Sequence, residues 1–502
     1  MFRSAMSRII VMLPNNLGDV IMTLPLLDAL KTADPSRHVS FLVEKGYAGG
    51  LENSPVCDRI ITIDRRRMKE MFCSDDWKEG ITALRSLAHD LSGEGEAVVV
   101  NLSQHPYLSY LVSAVVASDI RGRRYLREGN HALSDPWSQY LYTIPFARDY
   151  NGLHASDVYC RIADVRAGKD KRWIIPTERE YTACGAFFTE RNFPIDRPLI
   201  VFQPGAAWPS KRWPAGAFIS LGKMLLRDGY RIVITGAPEE RDTALRIAGE
   251  LGERCCATAG DLSFRESIVT LTMADAVVTG DTAIMHAAAA VGTRVIALFG
   301  PTSPVETGPY GSGHTVLCGT CPHRPCFTPT CASGSCLAAI TPALVYGCIR
   351  ENPPESGSGV ERYTTGFTDG VYRLVPEGGV EGSYVDAGGA ALTRMVFEPS
   401  FFKATVQPEA SEVIESRRFI DQCARMEQLL TKVKAGGGAM ELRQYEQTRI
   451  RAEHLGGIAA FWSALLNIRL NSVPLLDPIA GIDGSIAACR STREQITTAL
   501  EA

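Results

Sequence analysis

The sequence has no apolar run long enough to cross a bilayer. Tyr107–Ala117 is too short, and Ala283–Phe299 is interrupted by His286, Gly292 and Arg294. A secretory leader is not expected, because the apolar run Ile9–Leu13 is short and leads straight into Asn15, Asn16 and Asp19. The expectation is a cytoplasmic protein. There is no basic excess: 52 Lys and Arg face 56 Asp and Glu, for a net charge of -4. With no basic stripe either, nucleic acid is not an expected partner. No Gly-x-Gly-x-x-Gly opens a helix after a strand, which disfavours a nicotinamide dehydrogenase. Asp-x-Asp, the usual metal grip for a diphosphate, is missing from every loop singled out below.

What is present is ordinary for a globular protein, 45% apolar and 22% charged. At 502 residues the chain is too long for one core. A prior of about 150 residues per domain gives three. In the first part, short apolar runs at Arg8–Leu13, His38–Val43, Arg59–Ile63 and Ala97–Leu102 read as strands. Between them Trp77, Ile81, Leu84, Ala88 and Leu91 recur at helical spacing. That alternation predicts a parallel sheet covered on both faces. The pattern weakens over Arg121–Arg172, which reads as long loops or a helical crossover.

A second alternating set follows, with strands at Leu199–Gln203, Arg231–Thr235, Ala276–Thr279 and Arg294–Phe299. One helix carries Phe218, Leu221 and Leu225 and stops at Gly229; another opens at Ser263 with Glu266 three residues on, a capping box. The expected architecture is α/β, two Rossmann-like domains facing a cleft, over 1–180 and 181–353. Residues 354–502 form an appendage. It begins with the linker Glu355–Gly359, continues with short strands around Val371–Val375, and ends in a helical hairpin over Ser411–Val433 and Glu441–Ile468. The tail carries no chemistry and reads as a docking or dimerising element, so a homo-oligomer through its helices is one expectation.

Four strand ends carry candidate chemistry. Asn15-Asn16-Leu17-Gly18-Asp19 follows the first strand, and Asp19 reads either as a helix cap or as a base at the cleft floor. Gly205-Ala206-Ala207-Trp208-Pro209-Ser210-Lys211-Arg212 is a glycine loop with two cations before a helix, suited to a pyrophosphate or simply a solvated basic loop. In Gly280-Asp281-Thr282-Ala283-Ile284-Met285-His286, Asp281 suits a helix N-cap and leaves the amides of Thr282 and Ala283 for a ligand. His286, one turn on, is either a packed histidine or a cleft residue. Glu239 and Glu240 follow another strand, where a carboxylate accepts from ribose hydroxyls or favours a helix start. Singly these are weak; together they put polar loops on matching edges of both units.

The ordered set Leu17-Gly18-Asp19, Pro204-Gly205-Ala206, Lys211-Arg212-Trp213-Pro214, Gly280-Asp281-Thr282 to His286 and Leu298-Phe299-Gly300-Pro301-Thr302-Ser303-Pro304 resembles glycosyltransferase family nine, the ADP-heptose:lipopolysaccharide heptosyltransferases, over about residues 6–350. The resemblance implies a GT-B fold, with the lipopolysaccharide inner-core acceptor in the first domain and ADP-heptose in the second. It implies inverting transfer with no bound metal and no other cofactor. Asp19 resembles the general base and Lys211 the cation facing the donor phosphates. Gly205, Ala206, Ser210, Asp281, Thr282, Ala283 and His286 fall in the donor-binding loops, and Glu240 resembles the ribose acid, with Glu239 an adjacent rival. Ala283 stands where the family usually has glycine. Acceptor contacts are expected near Gln104 and His105. The acceptor's location implies peripheral association with the inner face of the membrane. Two alternatives stay open: another nucleotide sugar on the same fold, or a catalytically silent sugar-nucleotide scaffold whose tail recruits a partner.

Five of the 14 cysteines crowd into Cys318-x2-Cys321-x4-Cys326-x4-Cys331-x4-Cys336. This reads as a loop of reduced thiols or as a structural zinc site, although the usual second Cys-x2-Cys is missing.

Overall fold

The computed structural model describes residues 8–377 except 52–53, 74–76, 94–96, 126–130, 134, 147, 149–150, 169–170, 197, 322, 332–335, 356–358 and 369; beyond 377 it describes 410–434, 444–445, 447–448, 466 and 478–501. Both expected sheets are there. The first has six strands: β1 (Arg8–Met12), β2 (His38–Glu44), β3 (Arg59–Ile63), β4 (Ala97–Asn101), β5 (Ala117–Tyr125) and β6 (His131–Leu133), in the order β3-β2-β1-β4-β5-β6. All pair in parallel except β6. The inner strand β1 is buried along its whole length, as a sheet covered on both faces requires.

The second sheet has β7 (Leu199–Gln203), β8 (Arg231–Ile234), β9 (Cys255–Ala257), β10 (Ala276–Gly280), β11 (Val295–Phe299), β12 (Thr315–Gly319), β13 (Val360–Thr368) and β14 (Val371–Pro376). Their order is β14-β13-β12-β11-β10-β7-β8-β9. In each sheet the chain reverses its direction of winding once near the middle, between β1 and β4 in the first and between β10 and β7 in the second. Such switch points open a crevice at the carboxyl ends of the strands. The loops after β1, β7 and β10 are those that carry Asp19, Lys211 and Asp281.

The structure adds to the expectations. Arg121–Arg172 holds the helices Pro136–Thr143 and Ala155–Ile162, as the helical-crossover reading has it, and β5 and β6 extend the first sheet. The strands around 371–375 do not stand apart in an appendage. The β13–β14 hairpin pairs antiparallel with β12 and widens the second sheet, so a boundary at 353 falls inside that sheet. The helix expected over Glu441–Ile468 lies mostly outside the described residues, and the helix Ala410–Lys434 packs instead on Pro478–Glu501. Among the described residues no helix is long and apolar enough to cross a membrane.

The two units meet through a dry polar cluster. Asp157 of the first unit accepts from the Tyr310 hydroxyl at 2.7 Å and from the Tyr372 amide at 2.9 Å. His154 Nδ1 accepts from the Ser156 amide at 3.1 Å, so Nε2 carries the proton and donates to the Gly308 carbonyl at 3.0 Å. Burial holds His154 down at about 3, so it stays neutral at any working pH. Tyr310 and Tyr372 stack with ring centroids 5.7 Å apart, and both rings contact His154. The Tyr372 hydroxyl is buried without a hydrogen-bond partner, but the paired groups around it favour one arrangement of the elements that carry them.

Candidate active site

Asp19 lies in the first turn of the helix Leu17–Met22, which Asn16 begins. Its carboxylate accepts from the Asn16 amide, so the cap reading is half right. Yet the group is half-buried at the cleft floor. Burial pushes it up to about 6 against the Asn16 amide, Asp281 raises it further, and the Asn15 side chain and Lys211 pull it down. A carboxylate ionised at neutral pH with a conjugate acid near 6 suits a general base.

Lys211 and Asp281 meet from neighbouring strand ends, Nζ to Oδ2 at 2.7 Å. Asp281 is not the helix N-cap expected; Thr282 takes that place, and the carboxylate turns to the cation instead. Burial works to raise the Asp281 carboxyl, but Lys211, His286 and the Thr302 hydroxyl outweigh it and hold it below the usual range. Thr282 bonds through its hydroxyl to Thr279 at 3.0 Å, which leaves the free amides at the start of the helix Ala283–Ala290 facing the crevice. Lys211 also lies 4.7 Å from the centroid of the Trp208 ring.

His286 is buried, 3.9 Å from Asp281, and burial lowers it to about 4, leaving a neutral ring. It spans the two domains: a Cβ on Gly18 would come within 3.1 Å of its ring. A methyl group beside Asp19 would crowd this approach of the helix Ala283–Ala290, and glycine relieves it. The helices Leu17–Met22 and Ala283–Ala290 therefore abut across the cleft, with base, cation and free amides around one spot.

The remaining candidates have supporting places. The Glu240 carboxylate accepts from Gln203 Nε2 at 2.9 Å and from the Ala237 amide at 2.8 Å, and it fills the space beside Gly205. Glu239 is exposed and has no such cradle. Gly205→Ala is expected to drive its methyl into Glu240, at an overpacking cost of about 1–3 kcal/mol. The checks are a lowered melting temperature and weaker ADP binding by calorimetry. Ala206 is buried, and its carbonyl accepts from Arg212 Nε at 2.9 Å. Ser210 is turned from any donor, because its hydroxyl donates to the Thr328 carbonyl at 2.6 Å and its amide to Pro329 at 3.1 Å. Ala283 is the first residue of its helix. Gln104 is exposed, with its carbonyl on Arg123 at 3.1 Å. His105 Nε2 accepts from Arg65 at 3.0 Å, and Arg65 is held by Glu44 at 3.0 Å.

Sequence reasoning passed over Arg65, although it stands first in the conspicuous run Arg65-Arg66-Arg67. It passed over Thr302 as a partner of Asp281, although that residue lay in a quoted motif. It had no signal at all for Arg148 and Glu306, which lie 158 positions apart and meet across the domains at 2.5 Å.

Cys318 leaves the cysteine cluster for the sheet. Cys318 is buried in β12, so no Cys-x2-Cys knuckle forms with Cys321. Cys326 and Cys331 are exposed, while Cys321 and Cys336 are half-buried. Burial, and then Cys321, Cys326 and Cys331 nearby, raise the Cys336 thiol. Among the described residues no three Cys, His, Asp or Glu side chains converge closely enough to cage a metal, so the structural zinc gains no support. What the loop does is brace Ser210, next to Lys211, and Pro301, whose carbonyl accepts from the Phe327 amide at 2.9 Å.

Comparison with known proteins follows the same residues. The family model described as glycosyltransferase family 9 (heptosyltransferase) matches residues 174–336. Lipopolysaccharide heptosyltransferase 1 of Pseudomonas aeruginosa is 26% identical over 343 residues, 64% of this chain and 87% of that protein. Over these residues the chain is similar to glycosyltransferase family 9. Lipooligosaccharide heptosyltransferase 2 of Haemophilus influenzae is 38% identical, over 24% of this chain and 37% of its own length. The family 9 glycosyltransferase structure from Veillonella parvula superposes with a TM-score of 0.55 at 22% identity, covering 69% of this chain and 96% of its own. The Escherichia coli heptosyltransferase WaaC with ADP gives 0.50 at 22%, covering 69% and 99%. These two likenesses show the GT-B fold.

Proposed function

We propose that this chain transfers heptose from ADP-heptose to the inner core of lipopolysaccharide, with inversion, at the inner face of the cytoplasmic membrane. One observation carries the reading. Asp19 from one switch point and the Lys211–Asp281 pair from the other lie close enough for their charges to be felt by one another, around the amides that begin a helix. The relatives named as lipopolysaccharide heptosyltransferases support the sugar and the acceptor.

The chemistry balances with these groups alone. Asp19 takes the proton of the attacking acceptor hydroxyl. The new bond forms at the anomeric carbon as the bond to the diphosphate breaks on the opposite face. The negative charge that leaves with ADP moves toward Lys211 and the amides of Thr282 and Ala283. Lys211 rests on Asp281, which keeps the ammonium aimed at the crevice. Glu240, wired to Gln203 and Ala237, offers its remaining acceptor capacity to the ribose.

The test is calorimetry with ADP-heptose, ADP, UDP-glucose and GDP-mannose. Tightest binding of the adenosine sugar, weakened in Lys211→Ala, is the expected result. Preference for the uridine or guanosine sugar would keep the fold and remove heptose from the reading.

A further inference from the structure

Glu306 sits in the short helix Pro304–Thr307 of the donor domain, and Arg148 belongs to the acceptor domain. Arg148 Nη1 donates to Glu306 Oε1 at 2.5 Å, with the two side chains 24% and 14% exposed. The same guanidinium lies 3.6 Å from the centroid of the Phe327 ring. Phe327 has a backbone φ of +47°, a left-handed conformation that a bulky residue adopts only when its surroundings impose it. Its amide is tied to Pro301 on the donor domain. One acceptor-domain cation is thus received by two donor-domain side chains, one of them held in a strained conformation.

Glu306 is also linked to the catalytic groups. The Glu306 and Asp281 carboxylates feel one another's charge, and Asp281 holds Lys211 at 2.7 Å. The titratable groups that face Glu306 are Arg148 across the domain boundary, Asp281 and Asp19, and Tyr159, whose hydroxyl feels both Asp19 and Glu306. Burial raises the Glu306 carboxyl to about 7; Arg148 opposes this, and Asp281 and Asp19 add to it.

We propose that Arg148 and Glu306 form an interdomain positioning pair, which sets Lys211 through Asp281 according to where the acceptor domain sits. The inference rests on the transfer reaction proposed above. Base and phosphate cation come from different domains, so they fall into register only when the domains do. The pair ties that placement to the cation's own support. Neither residue touches the reacting atoms.

The experiment compares wild type, Glu306→Gln, Arg148→Glu, Glu306→Arg and the charge-swapped double variant Arg148→Glu/Glu306→Arg. In Glu306→Gln, kcat is expected to fall roughly 10–100-fold, the cost of an ångström-scale misplacement. ADP affinity should stay within about twofold, because the lost contact is not a ligand contact. In wild type the rate should climb with pH through two ionisations, Asp19 near 6 and Glu306 near 7. In Glu306→Gln only the first remains, below a lower plateau. The double variant should exceed both single reversals, which a merely structural loss would not allow. Hydrogen exchange of ADP-bound Arg148→Gln adds a readout that needs no sugar or acceptor, with faster exchange expected at 208–212 and 300–307. Unchanged exchange there, or wild-type kcat and pH profile in Glu306→Gln, overturns the pair. Absent turnover by wild type from ADP-heptose would instead count against the heptosyl-transfer reading, and the exchange result would still decide the pair.

Discussion

Lys211→Met is expected to lose roughly 10²–10³-fold in kcat, the usual cost of removing one preorganised donor from developing negative charge. It should also unfold more easily, for a separate reason. Lys211 and Asp281 are largely buried, with side chains 17% and 9% exposed, so removing the cation strands a carboxylate without its partner. Breaking such a pair costs about 3–5 kcal/mol. The pH dependence gives the sign. In wild type the Asp281 carboxyl lies below its unfolded value, so its contribution is present above that value and is lost as pH falls through the folded one. In Lys211→Met burial acts without the cation and the carboxyl moves upward, so this variant should regain stability as pH falls. Denaturant unfolding at several pH values checks this. Lys211→Met/Asp281→Asn should recover most of the stability and none of the activity. Activity in that double variant would remove Lys211 from the leaving-group role.

Asp19→Asn keeps the shape of the side chain and removes the base. The expected loss in kcat is about 10²–10⁴-fold, with ADP binding retained, because Asp19 belongs to the acceptor side of the cleft. Wild-type kcat/KM should fall with decreasing pH through about 6, where burial has placed the carboxyl, as the base takes up its proton. The asparagine variant should lack that fall. Loss of ADP binding together with activity would instead mark Asp19 as a structural cap, the reading its bond to the Asn16 amide also suggests.

The sequence carried the inner strands well, because strands covered on both faces must be apolar throughout; β1, β7, β10 and β11 are buried end to end. Local signals held too. The box of Ser263 and Glu266 forms, and Gly229 takes a φ of +87° just past its helix. β5 was missed because Asp119, Arg121, Arg123 and Arg124 line a half-buried strand near the sheet edge, where alternation is lost. β12 was read as the start of a cysteine loop, since Thr315–Gly319 is too short to stand out and Cys318 drew attention as a ligand rather than as core. Of the site, the loops and residue types were legible, because each follows an apolar strand. Their partners were not. Asp281 as cap or as counter-ion differs only by which group 70 positions away comes near, and the Arg148–Glu306 contact exists only once two domains are placed.

The measurement that bears most directly on the account is a transfer assay with ADP-heptose and a lipopolysaccharide core lacking heptose, followed by the mass of the acceptor and the release of ADP. The account predicts that the acceptor gains one heptose for each ADP released, and that Asp19→Asn gives neither. An acceptor unchanged in mass while the protein binds ADP-heptose, or one modified only from a uridine or guanosine sugar, would contradict it.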